Sequence, residues 1–530
     1  MALRTLIMRN RWMMALGEFG LAALLTLAGS PMQAQDTQVP LGPSTLQVTS
    51  RLVVLDVVVV DREGKPVTNL DQSKFTIYED KVPQTIKNFD PPKGHEMPTG
   101  SATAAVVNSA ADLPKIGTAP VNILVFDELD TPFHQLAYAR QMMEKYLKSL
   151  PEVLPVPTLF VAAGASRMAV LHDYTQSRTE LLESVRKHTA DLDFTQVMAN
   201  LNGGASAADN GMVKTLGALS QIAESVRGVP GRKNVIWVGA GYNKATDLPN
   251  MSQSDHDRVV AAIKQVTDRM LSARVTLYVI DPAGPVKADE ITEQSIDPTQ
   301  VTSAGTSTGA FGDNLGFYNF ATETGGRVIT GRSDLDAQVA QATAEGTEYY
   351  TLAYVPMSAN DAARPYRKIR VVVSDPSLRV ITRDGYFGGQ AVVSAVALTR
   401  KARQPADVKF DLLSAARTTM VYTGLHMQAQ RTKNGYSLLV NASDLKFNEQ
   451  IDGTRLAEVT VVAVCYNAKG KETSQKAAEL KEQLEASDQI GRQSRVGFTF
   501  PMIVPAFTSR VRFVIRDAGT AYLGTADGKP

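Results

Sequence analysis

The residues best placed to do chemistry lie in one stretch, Pro120-Val-Asn-Ile-Leu-Val-Phe-Asp-Glu-Leu-Asp-Thr-Pro-Phe133. An apolar run ends in the carboxylate of Asp127, the hydroxyl of Thr131 follows in the same loop, and a helix-forming segment begins. An open α/β sheet offers oxygen ligands to a divalent cation in this way, from the loop at the carboxyl end of a parallel strand. Asp127 and Thr131 are therefore candidate metal ligands, and Asp130 is either a substitute ligand or a turn residue. The same residues have a purely structural use. Asp127 can accept loop amide bonds, and Thr131 can cap the helix with Pro132 at its first position.

Other chemistry lacks its parts. Gly239-Ala-Gly241 follows a strand, but Lys244 stands where a dinucleotide fingerprint needs its third glycine. Gly228-Val-Pro-Gly-Arg-Lys233 is too short to cradle a phosphate and has no Ser or Thr after the lysine. His95, His134, His172, His188, His256 and His426 show no paired spacing of the kind zinc hydrolases use; only His134 is near Asp127 in sequence. The Gly-x-Ser-x-Gly pattern occurs at Gly305-Thr-Ser-Thr-Gly309, but no apolar strand leads into it as a nucleophile elbow requires. Cys465 sits in the apolar run Thr460-Val-Val-Ala-Val-Cys-Tyr466, as a buried small hydrophobe would.

These residues need a frame to hold them. Residues 120–357 alternate apolar strands (121–126, 158–162, 168–171, 234–239, 275–280, 348–354) with amphipathic helical segments, which implies a mostly parallel sheet covered on both faces. The strand patterns at 368–373 and 378–386 extend this unit to residue 390. Before it, residues 35–90 read as a small β module of short strands and tight turns, and 91–119 as a linker rich in Pro, Gly, Ala, Ser and Thr. After it come a second linker, 391–407, and a β-sandwich-like domain, 408–530, with a helix-prone insert at Gln475–Ala486.

The pieces Leu55-Asp-Val-Val-Val-Val-Asp61, Phe75-Thr-Ile-Tyr-Glu-Asp80, Asn122 to Pro132, Gly231-Arg-Lys-Asn-Val-Ile-Trp237, Glu323-Thr-Gly-Gly326, Tyr349 to Pro356 and Arg383-Asp-Gly-Tyr-Phe387 occur in that order. In wording and order they resemble the von Willebrand factor type A (VWA) related proteins of acidobacteria. The resemblance implies a VWA-like doubly wound sheet and a signal-bearing, non-enzymatic binding protein. It also implies a metal-ion-dependent adhesion site, built from an Asp-x-Ser-x-Ser turn, a Thr from a second loop and an Asp from a third. Asp127 and Thr131 match the ends of that turn, but Leu129 replaces its middle Ser. The third loop, Gly239-Ala-Gly-Tyr-Asn243, carries no carboxylate, and Thr189 or Thr195 is left to supply the second-loop hydroxyl. The expected site is degenerate. It holds Mg²⁺ weakly at most, and no other cofactor is implied.

Fifty-five basic and fifty-four acidic residues give a formal charge of +1, so no global field attracts nucleic acid. Residues 1–34 combine Arg4, Arg9 and Arg11, an apolar core and a small-residue exit at Ala34, as a cleaved secretory signal does. A periplasmic or secreted chain with no membrane span follows. Its expected function is protein binding through a rim made of Leu129, Asp130, Gly239 and Gly241, with the partner and the oligomeric state open. The alternative is an envelope-associated hydrolase whose site forms between domains.

Overall fold

The computed structural model describes residues 52–98, 106–129, 131–164, 168–190, 205–242, 253–283, 317–330, 333–356, 366–387, 405–450, 452–485, 488 and 494–530. The chain opens with β1 (Val53–Val60), β2 (Phe75–Glu79), β3 (Val82–Gln84) and β4 (Ile86–Asp90). Next come β5 (Val121–Asp127), α1 (Phe133–Ser149), β6 (Val153–Ala163), β7 (Met168–Ser177), α2 (Arg178–Lys187) and α3 (Ala205–Ser225). β8 (Lys233–Val238), α4 (Gln253–Ser272), β9 (Val275–Ile280), α5 (Asn319–Glu323), β10 (Val328–Ile329) and α6 (Leu335–Thr347) complete this part.

Its six-stranded sheet has the order β10-β9-β8-β5-β6-β7, parallel except for the antiparallel edge pair β6 and β7. All seven residues of β5 are buried. Alternation along the strand sends Ile123 and Val125 to one face, against Leu219 and Ile222 of α3, and Leu124 and Phe126 to the other, against Met143 and Leu147 of α1. Both faces are therefore covered, and β5 and β8 are central.

The remaining strands correct the domain boundaries read from sequence. β11 (Tyr350–Tyr354), β12 (Tyr366–Val373), β13 (Arg379–Ile381) and β14 (Gly385–Phe387) do not extend the parallel sheet. β11 and β13 flank β1, and β12 lies beside β2, giving two four-stranded antiparallel sheets ordered β13-β1-β11-β4 and β14-β12-β2-β3. Leu55, Val57, Phe75, Ile77, Tyr350, Leu352 and Val371 fill the core between them. The described stretch 52–90 is thus half of a β-sandwich whose other half begins at Tyr350, with the α/β unit inserted between β4 and β11. Within 91–119, Val107, Leu113 and Ile116 are buried in the α/β core, so the described part of this segment is packed and is no free linker.

A second sandwich ends the chain after α7 (Pro405–Arg417). One sheet holds β15 (Met427–Thr432), β16 (Gly435–Asn441) and β20 (Arg495–Pro501). The other holds β17 (Phe447–Glu449), β18 (Arg455–Asn467), β19 (Glu472–Leu484), β21 (Thr508–Asp517) and β22 (Leu523–Gly528). β18 is apolar on both sides because Val461, Ala463 and Cys465 face the sandwich core while Val462 and Val464 pack on the α/β unit. The helix expected at 475–486 is the strand β19, paired with β18 along its whole length. Its Lys, Glu, Gln and Ala favour a helix locally, but ladder bonds to a buried neighbour override that preference. Among the described residues no helix is long and apolar enough to cross a membrane.

Candidate functional site at the carboxyl end of the sheet

β5 and β8 run parallel with Val125 opposite Trp237 and Phe126 opposite Val238. Side chains of Val125, Asp127 and Trp237 therefore lie on the same face, and the Asp127 carboxylate leaves β5 beside the indole. Asp127 is fully buried. Its Oδ1 accepts the Leu129 amide at 3.0 Å, and its Oδ2 accepts the Gly241 amide at 2.8 Å and the Trp237 Nε1–H at 3.1 Å. Thr131, also buried, accepts the Ala240 amide on its Oγ1 at 3.3 Å. Asp127 and Thr131 are thus brought together as expected, and the loop after β8 is stitched to both.

The glycines of that loop serve this stitching. A Cβ on Gly239 would stand 2.2 Å from the Asp127 Cβ and 2.6 Å from the Thr131 Oγ1, and Gly239 has a φ of +152°. A Cβ on Gly241, at φ +66°, would stand 2.0 Å from the Phe317 ring, which also packs on Trp237 and Tyr242. Only glycine fits at either position. Leu129 is 7% exposed and packs in the core beneath the sheet, and Gly239 and Gly241 are buried. The rim expected of Leu129, Gly239 and Gly241 is therefore not a surface that a partner can touch. Asp130 lies outside the described residues.

The helix cap is also corrected. α1 begins at Phe133 with Pro132 as N-cap and no side-chain cap bond, since the Thr131 hydroxyl is turned toward Ala240. His134 is exposed on the first turn, and Thr189 is exposed past the end of α2; Thr195 lies outside the described residues.

A divalent cation does not fit this donor set. Such an ion needs oxygens whose lone pairs converge on it, about six for Mg²⁺. Here the positive ends of three N–H groups already converge on the Asp127 carboxylate, a fourth reaches Thr131, and Leu129 adds no oxygen.

Two neighbouring groups escaped the sequence reading. Glu128, 4% exposed, holds the Nε2 of His188 from the end of α2. Asp281, next after β9, accepts the Ala283 amide at 2.9 Å and the Tyr318 hydroxyl at 2.8 Å. Burial, and then the Asp281 carboxylate beside it, push the Tyr318 phenol up. Strand parity could have found Trp237, which stands two residues before Gly239 on the face of Asp127. Nothing local marks His188, 60 residues from Glu128.

The Gly231-Arg-Lys233 motif lies at the opposite end of the sheet. A Cβ on Gly231 would stand 2.2 Å from the Ala119 carbonyl, the Arg232 Nη2 donates to the Tyr278 hydroxyl at 2.9 Å, and the Lys233 Nζ donates to the Val229 carbonyl at 2.7 Å. Burial pushes the Lys233 ammonium well below its ordinary value. The motif is tied to Tyr349, just before β11: the Arg232 amide donates to its hydroxyl at 3.4 Å and the Arg232 guanidinium lies over its ring.

No protein-family model and no curated protein matches the chain. Among solved structures it is similar in part to proximal thread matrix protein 1 of the mussel byssus, at 11% identity and a TM-score of 0.24, over 45% of this chain and 49% of that one. It is also similar in part to the human COPII-coat protein Sec24c, at 9% identity and a TM-score of 0.23, over 52% and 44%. The chain spans about half the length of these neighbours, and likeness at these scores decides nothing about function.

Proposed function

We propose that this chain is a secreted or periplasmic, non-enzymatic protein-binding module with a VWA-like core, whose adhesion-site position is closed by hydrogen bonds in place of a metal ion. The observation that carries the reading is the pairing of the Asp127 carboxylate and the Thr131 hydroxyl with N–H donors from their own loops. A carboxylate closed in this way cannot share a cation with an acidic group on a partner. Recognition at this end of the sheet then rests on shape and apolar contact, for which Phe133 is available, 69% exposed two residues after Thr131. Pro132 and His134 beside it are exposed too. The VWA-like assignment is supported by the motif order and by a central strand ending in Asp127; the compartment is supported by the signal-like pattern of residues 1–34.

The test is capture of partners from envelope extract by the wild-type chain and by Phe133→Asp, each with and without chelator. A partner that wild type retains in chelator and Phe133→Asp loses is expected. Capture that chelator abolishes, or that Phe133→Asp leaves intact, overturns the reading.

The hydrolase alternative is favoured by one observation, the buried Glu128–His188 pair, because a carboxylate that orients an imidazole is a general-base arrangement. Ester or peptide hydrolysis by wild type that is lost in His188→Gln would select it.

A further inference from the structure

The loop between β20 and β21, Pro501-Met-Ile-Val-Pro-Ala-Phe507, holds two large apolar side chains in water: Ile503 is 93% exposed and Phe507 94%. It is a fixed loop. Met502 is buried in the sandwich core and its amide donates to the Asn434 carbonyl at 3.2 Å; the Pro505 carbonyl accepts the Thr508 hydroxyl at 2.8 Å. Phe507 has a φ of +66°, a backbone conformation that Gly or Asn adopts readily and an aromatic residue does not. An exposed aromatic held in a strained conformation on an anchored loop marks a contact site.

The surroundings say what it contacts. Gly435 pairs with Pro501 and Asn467 lies opposite Thr508, so the tips of two hairpins flank the loop. One tip carries Lys433 and the other Lys469 and Lys471, all exposed, and Lys476 donates to the Pro501 carbonyl at 2.5 Å. None of these four ammonium groups forms an ion pair with a described residue. The nearby carboxylates are engaged, Glu472 with Arg417 and Asp527 with Arg512.

We propose that this end of the C-terminal sandwich docks on an anionic lipid bilayer, with Ile503 and Phe507 inserted below the headgroups and the four lysines against lipid phosphates. Two side chains offer too little apolar area for a stable protein interface, which needs about 600 Å² per partner or more. Shallow apolar insertion backed by a cluster of cations is the two-part signal by which proteins hold to membrane surfaces. The inference is independent of the proposal for the carboxyl end of the parallel sheet, which lies in a different part of the fold.

The experiment measures co-sedimentation of the full chain with vesicles of one part phosphatidylglycerol to two parts phosphatidylcholine, and with pure phosphatidylcholine vesicles. The comparison runs across wild type, Ile503→Ser with Phe507→Asn, and Lys433→Gln with Lys469→Gln and Lys471→Gln. Each variant keeps the N-terminal apolar segment, so differences among them read the loop and its lysines alone. Asn accepts the left-handed backbone, so unfolding midpoints no lower than that of wild type are expected and separate lost binding from lost fold. Binding to the anionic vesicles is expected to fall about tenfold for each apolar residue removed and about fivefold for each lysine, and to weaken with salt. Equal binding of all three proteins overturns the proposal. So does an absence of wild-type binding to anionic vesicles, including the case where Ile503→Ser with Phe507→Asn instead dissociates a dimer or releases a protein partner.

Discussion

Replacing Asp127 by Ala tests whether the buried carboxylate is the knot that ties the loops after β5 and β8. The substitution strips the acceptor from three buried donors, the amides of Leu129 and Gly241 and the indole N–H of Trp237. An orphaned buried donor costs about 1–3 kcal/mol. The vacated space admits water to some of them, so the lower figure applies to each and the total is about 3 kcal/mol. Asp127→Asn keeps the shape but turns an N–H₂ toward N–H donors, and about 2 kcal/mol is expected. The chain has two tryptophans, Trp12 and Trp237, so in a Trp12→Phe background the fluorescence of a guanidinium titration comes from the residue bonded to Asp127. A loss under about 0.5 kcal/mol in Asp127→Ala, the scale of a neutral surface substitution, would refute the knot.

Three further predictions use the same titration. Gly239→Ala drives a methyl group into Asp127 and Thr131 from a left-handed backbone and is expected to cost about 3 kcal/mol; a neutral outcome would show that the loop does not close on β5. Burial pushes the Glu323 carboxyl, which accepts the Tyr366 hydroxyl at 2.7 Å, up from 4.5 to about 8. Its folded pKa lies above the unfolded one, so its stabilisation is complete below pH 4.5 and is lost as pH rises through 8, by at most about 1.4 kcal/mol per pH unit. Glu323→Gln should remove that part of the slope and stabilise the chain at the alkaline end, and an unchanged slope would count against a protonated Glu323. Phe507→Gly should raise stability by about 1 kcal/mol by relieving its positive φ, and a loss would mean that its ring packs on something.

How far the sequence could be read depended on how local each signal was. The run from Val121 to Phe126 ends in Asp127, and strand β8 ends just before Gly239; both were visible because a central parallel strand is apolar on both faces. The meeting of Asp127 with Thr131 and the third loop followed from the same order. The sandwich divided by the α/β unit was hidden because Leu55 pairs with Leu352 across nearly three hundred residues, and no periodicity records the partner of a strand. β19 misled through composition: its exposed Lys and Glu suit a helix as well as the solvent face of an edge strand. The rim failed for a physical reason. Leu129 is expected on an exposed rim, whereas its side chain joins the core and the Trp237 indole N–H, from the neighbouring strand, bonds Asp127.

The central claim, that hydrogen bonds occupy the place of a metal ion at Asp127, is tested most directly by calorimetric titration of the full chain with Mg²⁺, Mn²⁺ and Ca²⁺. No saturable heat is expected from any of the three, and the unfolding midpoint should be the same with chelator as with cation, because the Asp127 oxygens already face N–H donors. Micromolar binding that disappears in Asp127→Ala would contradict it.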